Sequence, residues 1–103
     1  MEDSLQRAIK IIVQVAEPDK IILFGSHARG DNRSTSDYDL LVLKRGVKKE
    51  RELTQKIYLN FKDLGAPIDV IVANLDKYEQ LKTDPYVIYS EAEKNGRVVY
   101  EKP

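Results

Sequence analysis

The chain has no cysteine, one methionine, one histidine and no surplus of either charge, since 17 lysines and arginines balance 17 aspartates and glutamates. Without cysteine there are no disulfide staples and no thiolate zinc sites. Without a basic excess there is no electrostatic footprint for a long phosphate backbone, so direct nucleic-acid binding is not expected. No apolar run approaches the roughly 20 residues needed to cross a bilayer, and no signal-like apolar segment opens the sequence. A cytoplasmic protein without membrane association is expected. Internal repeats, low-complexity segments and linkers are missing too. The 103 residues suffice for one core, so residues 1–103 are expected to form a single domain.

What the chain does have is concentrated between Lys20 and Leu43. Ile21-Ile22-Leu23-Phe24 is an apolar run that meets Gly25-Ser26, and after ten further residues Asp37-Tyr38-Asp39 opens a second run, Leu40 to Leu43. Short apolar runs bounded by turn residues read as strands buried on both faces. Strand alternation sets Asp37 and Asp39 on one face and Tyr38 on the other. Adjacent carboxylates repel unless a proton or a cation lies between them, and hard oxygen ligands suit Mg²⁺. Gly25-Ser26 lets backbone approach a ligand and offers N–H and hydroxyl donors to an anion; for the pair alone, a strand-ending turn is the plainer reading. Gly25 to Gly30 has the spacing of a P-loop, but Asp31 stands where that motif needs lysine and Asn32 where it needs serine or threonine, so a P-loop is excluded. Ser26-His27-Ala28-Arg29 reads as a short helical turn in which Arg29 meets either a phosphate or a carboxylate such as Asp31. His27, lacking a second imidazole, reads as a surface or loop residue, and Asn32 to Ser36 as a turn.

Around this centre, helical and strand patterns alternate. Leu5, Ala8, Ile9, Ile12, Val13 and Ala16 recur at three- and four-residue steps, predicting an amphipathic helix over 5–16, capped by Asp3 or Ser4 and stopped at Glu17-Pro18. A second helix is predicted over 48–64, with Leu53, Ile57, Phe61 and Leu64 on its apolar side and Gly65 as its cap. Ile68 to Ala73 is a third strand and contains Asp69. A carboxylate among β-branched residues needs a metal, a positive partner or an exposed strand end; with Asp37 and Asp39 present, it reads as the third member of one site. A short helix over 77–81, a helix begun by Pro85 and closed at Asn95-Gly96, and a terminal strand over 97–100 complete the pattern. Tyr78, Tyr86, Tyr89 and Tyr100 read as packing residues rather than a partner surface.

Three carboxylates on two strands beside a Gly-Ser turn suit metal-dependent chemistry on a triphosphate, where two ions ~4 Å apart can activate a hydroxyl and stabilise a leaving oxygen. Gly25-Ser26, ten residues and Asp37-Tyr38-Asp39, with Ala28-Arg29-Gly30-Asp31 and Ser36 inside the gap and Asp69 in Pro67-Ile68-Asp69-Val70-Ile71-Val72, closely resemble the signature of the DNA polymerase beta nucleotidyltransferase superfamily. The likeness is closest to its minimal nucleotidyltransferases (MNT), often antitoxins paired with HEPN-type ribonuclease toxins. It extends to Glu91-Ala92-Glu93-Lys94-Asn95-Gly96-Arg97-Val98-Val99-Tyr100 and covers nearly the whole chain.

The resemblance implies an α/β (α+β) nucleotidyltransferase fold, with a small mixed sheet and helices packed mainly on one face. It implies that Gly25 and Ser26 bind the β- and γ-phosphates of ATP, while Asp37 and Asp39 hold two Mg²⁺ ions. Asp69 would complete the first metal site and help deprotonate the acceptor hydroxyl. The acceptor so implied is a tyrosine on a HEPN-type toxin, which AMP transfer would switch off. Two other readings stay open at this stage: an antitoxin that acts by covering its partner without catalysis, and an enzyme for a small-molecule acceptor.

Overall fold

Nine elements follow one another in the computed structural model, which describes residues 3–30, 37–62, 64–84 and 88–103, without the side chains of Asp3, Ser26, Arg29 and Ile88. Helix α1 (Asp3–Ala16) leads into strand β1 (Lys20–Phe24), the single helical turn α2 (Ser26–Arg29) and strand β2 (Tyr38–Lys44). Helix α3 (Glu50–Asn60), strand β3 (Ile68–Asn74), helices α4 (Leu75–Leu81) and α5 (Ile88–Asn95) and strand β4 (Arg97–Glu101) complete it. The strands lie in the order β3-β2-β1-β4. β1 is antiparallel to both β2 and β4, whereas β2 and β3 run parallel. A parallel pair needs a crossover connection, and α3 supplies it. The result is the expected mixed sheet.

Period-two alternation divides the core into two clusters. Ile21, Leu23, Tyr38, Leu40, Val42, Ile68, Val70 and Val72 pack with Leu5, Ala8, Ile12 and Ala16 of α1 and Ile57 of α3. The intervening residues Ile22, Phe24, Leu41, Leu43 and Ala73 pack with Leu75 and Tyr78 of α4 and Ala92 of α5. The two long helices therefore share one face, and the shorter pair covers the other. Leu40, Leu41, Val42 and Leu43 are all buried, as their unbroken apolar run predicts. Among the described residues no helix is long and apolar enough to cross a membrane.

Several boundaries differ from the sequence reading. α1 begins at Asp3, so Asp3 and Ser4 lie in its first turn instead of capping it, and α3 begins at Glu50 instead of Lys48. The helix predicted over 48–64 ends at Asn60, where Phe61 turns extended (φ −78°, ψ 126°). Arg7 Nη2 donates to the Leu64 carbonyl at 2.9 Å, which holds this stretch out of helix while Leu64 still reaches the core. Gly65, at φ +83°, consequently bends the loop instead of capping the helix. α4 begins two residues before the expected Lys77, because the Asn74 side chain accepts the Asp76 and Lys77 N–H groups at 2.8 and 3.4 Å and acts as its N-cap. The proposed helix start at Pro85, together with Tyr86, lies outside the described residues. Of the other tyrosines read as packing residues, Tyr78 is buried and meets Tyr89 edge-on at 5.6 Å, and Tyr100 packs against the α1 cluster.

Candidate active site

β1 enters one corner of the sheet, and β2 and β3 leave it. Phe24 pairs with Asp39, and Asp39 with Asp69, so the two acids occupy adjacent positions on neighbouring strands. The shared register keeps them in phase. Tyr38, Leu40, Ile68 and Val70 turn toward α1 and α3, which leaves Asp39 and Asp69 on the opposite face. Asp37 precedes β2 and joins them there, near enough for its carboxyl group to act on that of Asp69. A backbone bond from the Tyr38 N–H to the Pro67 carbonyl, 3.0 Å long, ties the start of β2 to the segment that enters β3.

Gly25 closes the corner. Its φ is +77°, and a Cβ there would stand 3.2 Å from Asp39 Cγ, 3.4 Å from Asp39 Cβ and nearer still to Oδ2. A side chain is disfavoured by the backbone conformation and by the carboxylate together. Directly after this glycine, α2 folds back along β2. The His27 ring lies flat on the Tyr38 ring, with centroids 3.8 Å apart and an interplanar angle of 19°.

The acids influence one another. Asp69 is raised from its ordinary 3.8 by partial desolvation, by its hydrogen bond with Asp37, and by the negative charges of Asp37 and Asp39. The residue is exposed, so its desolvation is slight and the neighbouring acids act on it more strongly. Among the described residues no three carboxylate or imidazole groups converge closely enough to hold an ion as they stand. The donor set nonetheless fits a hard divalent cation. It is all oxygen and mutually repulsive when ionised, and a cation among the acids would relieve the repulsion.

The residues singled out from sequence are therefore brought together in part. Gly25, Asp37, Asp39 and Asp69 meet at one corner. Ser26 and Arg29 have their backbones in α2, next to Gly25; the two alternatives for Arg29, a phosphate or Asp31, lie outside the described residues, as does the turn from Asn32 to Ser36. His27, read as a surface or loop residue, is instead half-buried on a helical turn. Sequence reasoning missed its stack with Tyr38. The available signal was Tyr38 itself, an aromatic on the inward face of a strand that starts where α2 must return.

The family described as Polymerase beta, Nucleotidyltransferase matches residues 6–103. No curated protein matches by sequence. Among solved structures, the chain is similar to a protein from Sulfolobus solfataricus assigned as a nucleotidyltransferase, at 19% identity and a TM-score of 0.62 over 99% of this chain and 90% of that one. It is also similar to a mutant form of the toxin–antitoxin MntA–HpeT, at 19% identity and a TM-score of 0.63 over 99% and 75% of the two chains. A third likeness is to a toxin–antitoxin solved with AMP-PNP, at 22% identity and a TM-score of 0.52 over 94% and 73%. At these identities the likenesses concern the fold.

Proposed function

The chain belongs to the polymerase beta nucleotidyltransferase family, and from that membership we propose that it transfers AMP from ATP to a hydroxyl group, with Mg²⁺, and that the acceptor is a tyrosine of a HEPN-type toxin that it neutralises. The observation that carries this reading is the corner itself, where Asp39 and Asp69 are paired across β2 and β3, Asp37 lies within electrostatic reach of Asp69, and Gly25 leaves just enough room for Asp39. The toxin–antitoxin neighbours, one of them with an ATP analogue, support the choice of nucleotide and partner.

In this mechanism Asp37 and Asp39 would hold two Mg²⁺ ions and Asp69 would complete the first site. Bound there, such ions neutralise triphosphate charge and acidify an attacking hydroxyl. The Gly25-Ser26 turn receives the β- and γ-phosphates, with Arg29 as a further candidate contact to the nucleotide. Asp69 takes the proton of the acceptor hydroxyl. The freed oxygen attacks the α-phosphorus, the bond to the bridging oxygen of the β-phosphate breaks, and pyrophosphate leaves.

The test is incubation with Mg²⁺, α-labelled ATP and an extract of the source cells, with Asp39→Asn in parallel. One labelled protein band with the native chain and none with Asp39→Asn is expected, and the band then yields the acceptor. Equal labelling by both would place the chemistry elsewhere. Nucleotide binding without any label would remove protein AMP transfer.

A further inference from the structure

The site has two halves on different parts of the chain, the Gly25–Arg29 turn and the acids of β2 and β3, and something must fix their spacing. α2 cannot do so alone. It has four residues, far below the 12–15 or so at which an isolated helix becomes even marginal in water, so tertiary contacts must set its place. Two are visible. Ala28 packs on the α1 cluster, and the His27 ring stacks on Tyr38. Tyr38 is a stiff anchor: the residue is 6% exposed, its N–H is bonded to the Pro67 carbonyl, and its chain neighbours are Asp37 and Asp39. One residue thus touches the turn through its ring, the first two acids through the chain, and the segment leading to Asp69 through its N–H.

We infer that the His27–Tyr38 stack is a positioning device that holds the triphosphate-binding turn at a fixed distance from the acids. This rests on the proposed nucleotidyl transfer only in assigning the β- and γ-phosphates to that turn. What position 27 needs is a flat ring. An aromatic ring contact is worth about 0.5–1.5 kcal/mol beyond simple burial, which corresponds to roughly a 2- to 12-fold change in an equilibrium constant. Misplacing reacting groups by about 1 Å costs on the order of 100-fold in rate.

The experiment measures affinity for Mg·ATP and for Mg·AMP, together with the melting temperature, in the wild type, His27→Ala and His27→Phe. AMP lacks the phosphates assigned to the turn and serves as the internal reference. His27→Ala is expected to weaken ATP binding about tenfold while AMP affinity stays within about twofold, and His27→Phe is expected to restore ATP affinity. Parallel loss of ATP and AMP affinity would reduce the stack to ordinary packing, and equal loss in the alanine and phenylalanine variants would show that a ring is not what matters. Either result overturns the inference, as does an alanine variant identical to wild type. A wild-type protein that binds no Mg·ATP would overturn the functional reading and the inference together, whereas wild-type binding with an indifferent His27→Ala removes the inference alone.

Discussion

Gly25→Ala separates the two demands made on that position. The backbone demand is φ +77°, and an L-residue held in the left-handed region costs about 1–2 kcal/mol. Gly46 provides the control: its φ is +74° and nothing lies within 4 Å of a Cβ placed there, so Gly46→Ala carries the same backbone cost and no clash. At about 4–8 °C per kcal/mol for a domain of this size, both variants should melt roughly 5–15 °C below the wild type. The second demand is local. The new methyl would overlap Asp39 Oδ2, and a carboxylate at the end of a side chain escapes by rotating, at little further cost to the fold. The site, however, loses Asp39 from its place, and disturbing the orientation of a metal ligand costs about 10- to 100-fold in metal affinity. The assay is ligand-induced stabilisation at a Mg·ATP concentration of 100 times the wild-type Kd. Wild type and Gly46→Ala should each gain about 2.7 kcal/mol, while a 100-fold weaker Gly25→Ala gains under about 0.5 kcal/mol. If Gly25→Ala gains as much as Gly46→Ala, the contact between Gly25 and Asp39 has no bearing on ligand binding.

Asp69 is raised above its ordinary 3.8, so its contribution to stability is present at low pH and lost as pH rises through the raised value. Metal-free Asp69→Asn should therefore be more stable than wild type near pH 7, by a few tenths to about 1 kcal/mol after solvent screening, and the gain should vanish near pH 3 in chemical denaturation. Tyr78 is buried and its hydroxyl donates to Glu93 Oε1 at 2.7 Å; burial first, then Glu93, push its ionisation upward. Tyr78→Phe should cost about 1.5–3 kcal/mol at neutral pH, and the wild type should lose more stability than this variant as pH climbs past the ordinary tyrosine value of about 10. Gly96 has no room for a methyl, which would overlap the Ala92 carbonyl oxygen and stand 2.6 Å from Ile22 Cγ2. Because one obstacle is backbone, Gly96→Ala should lower stability by about 1–3 kcal/mol, and an unchanged melting temperature would contradict the tight seat of α5 on β1.

The acids were legible because the sequence carries two independent constraints on them. Alternation fixed the relative faces of Asp37, Tyr38 and Asp39, and a carboxylate among β-branched residues marked Asp69 as needing a partner. The early end of α3 was not legible. Its apolar period runs on through Phe61 and Leu64, and a long-range bond from Arg7 decides the matter, which no local pattern reports. The His27–Tyr38 stack escaped notice for a similar reason: it joins residues on separate elements, and a single histidine has no periodicity to display. The start of α4 could have been placed from Asn74, whose spacing to Asp76 and Lys77 is that of an N-cap.

β3 is the outer strand of the described sheet on the acid-bearing side, and at its outward edge the Val70 N–H donates to the Tyr58 hydroxyl at 2.7 Å. Outer strands open more readily than central ones, and local opening of β3 would carry Asp69 away from Asp37 and Asp39 while β1 and β2 stayed paired. Under the proposed chemistry, catalytic competence and the intactness of this one strand are then the same event observed by two methods. Any ligand that engages all three acids acts as a latch on the edge, and slowed amide exchange along Ile68–Asn74 would register its arrival before any product forms.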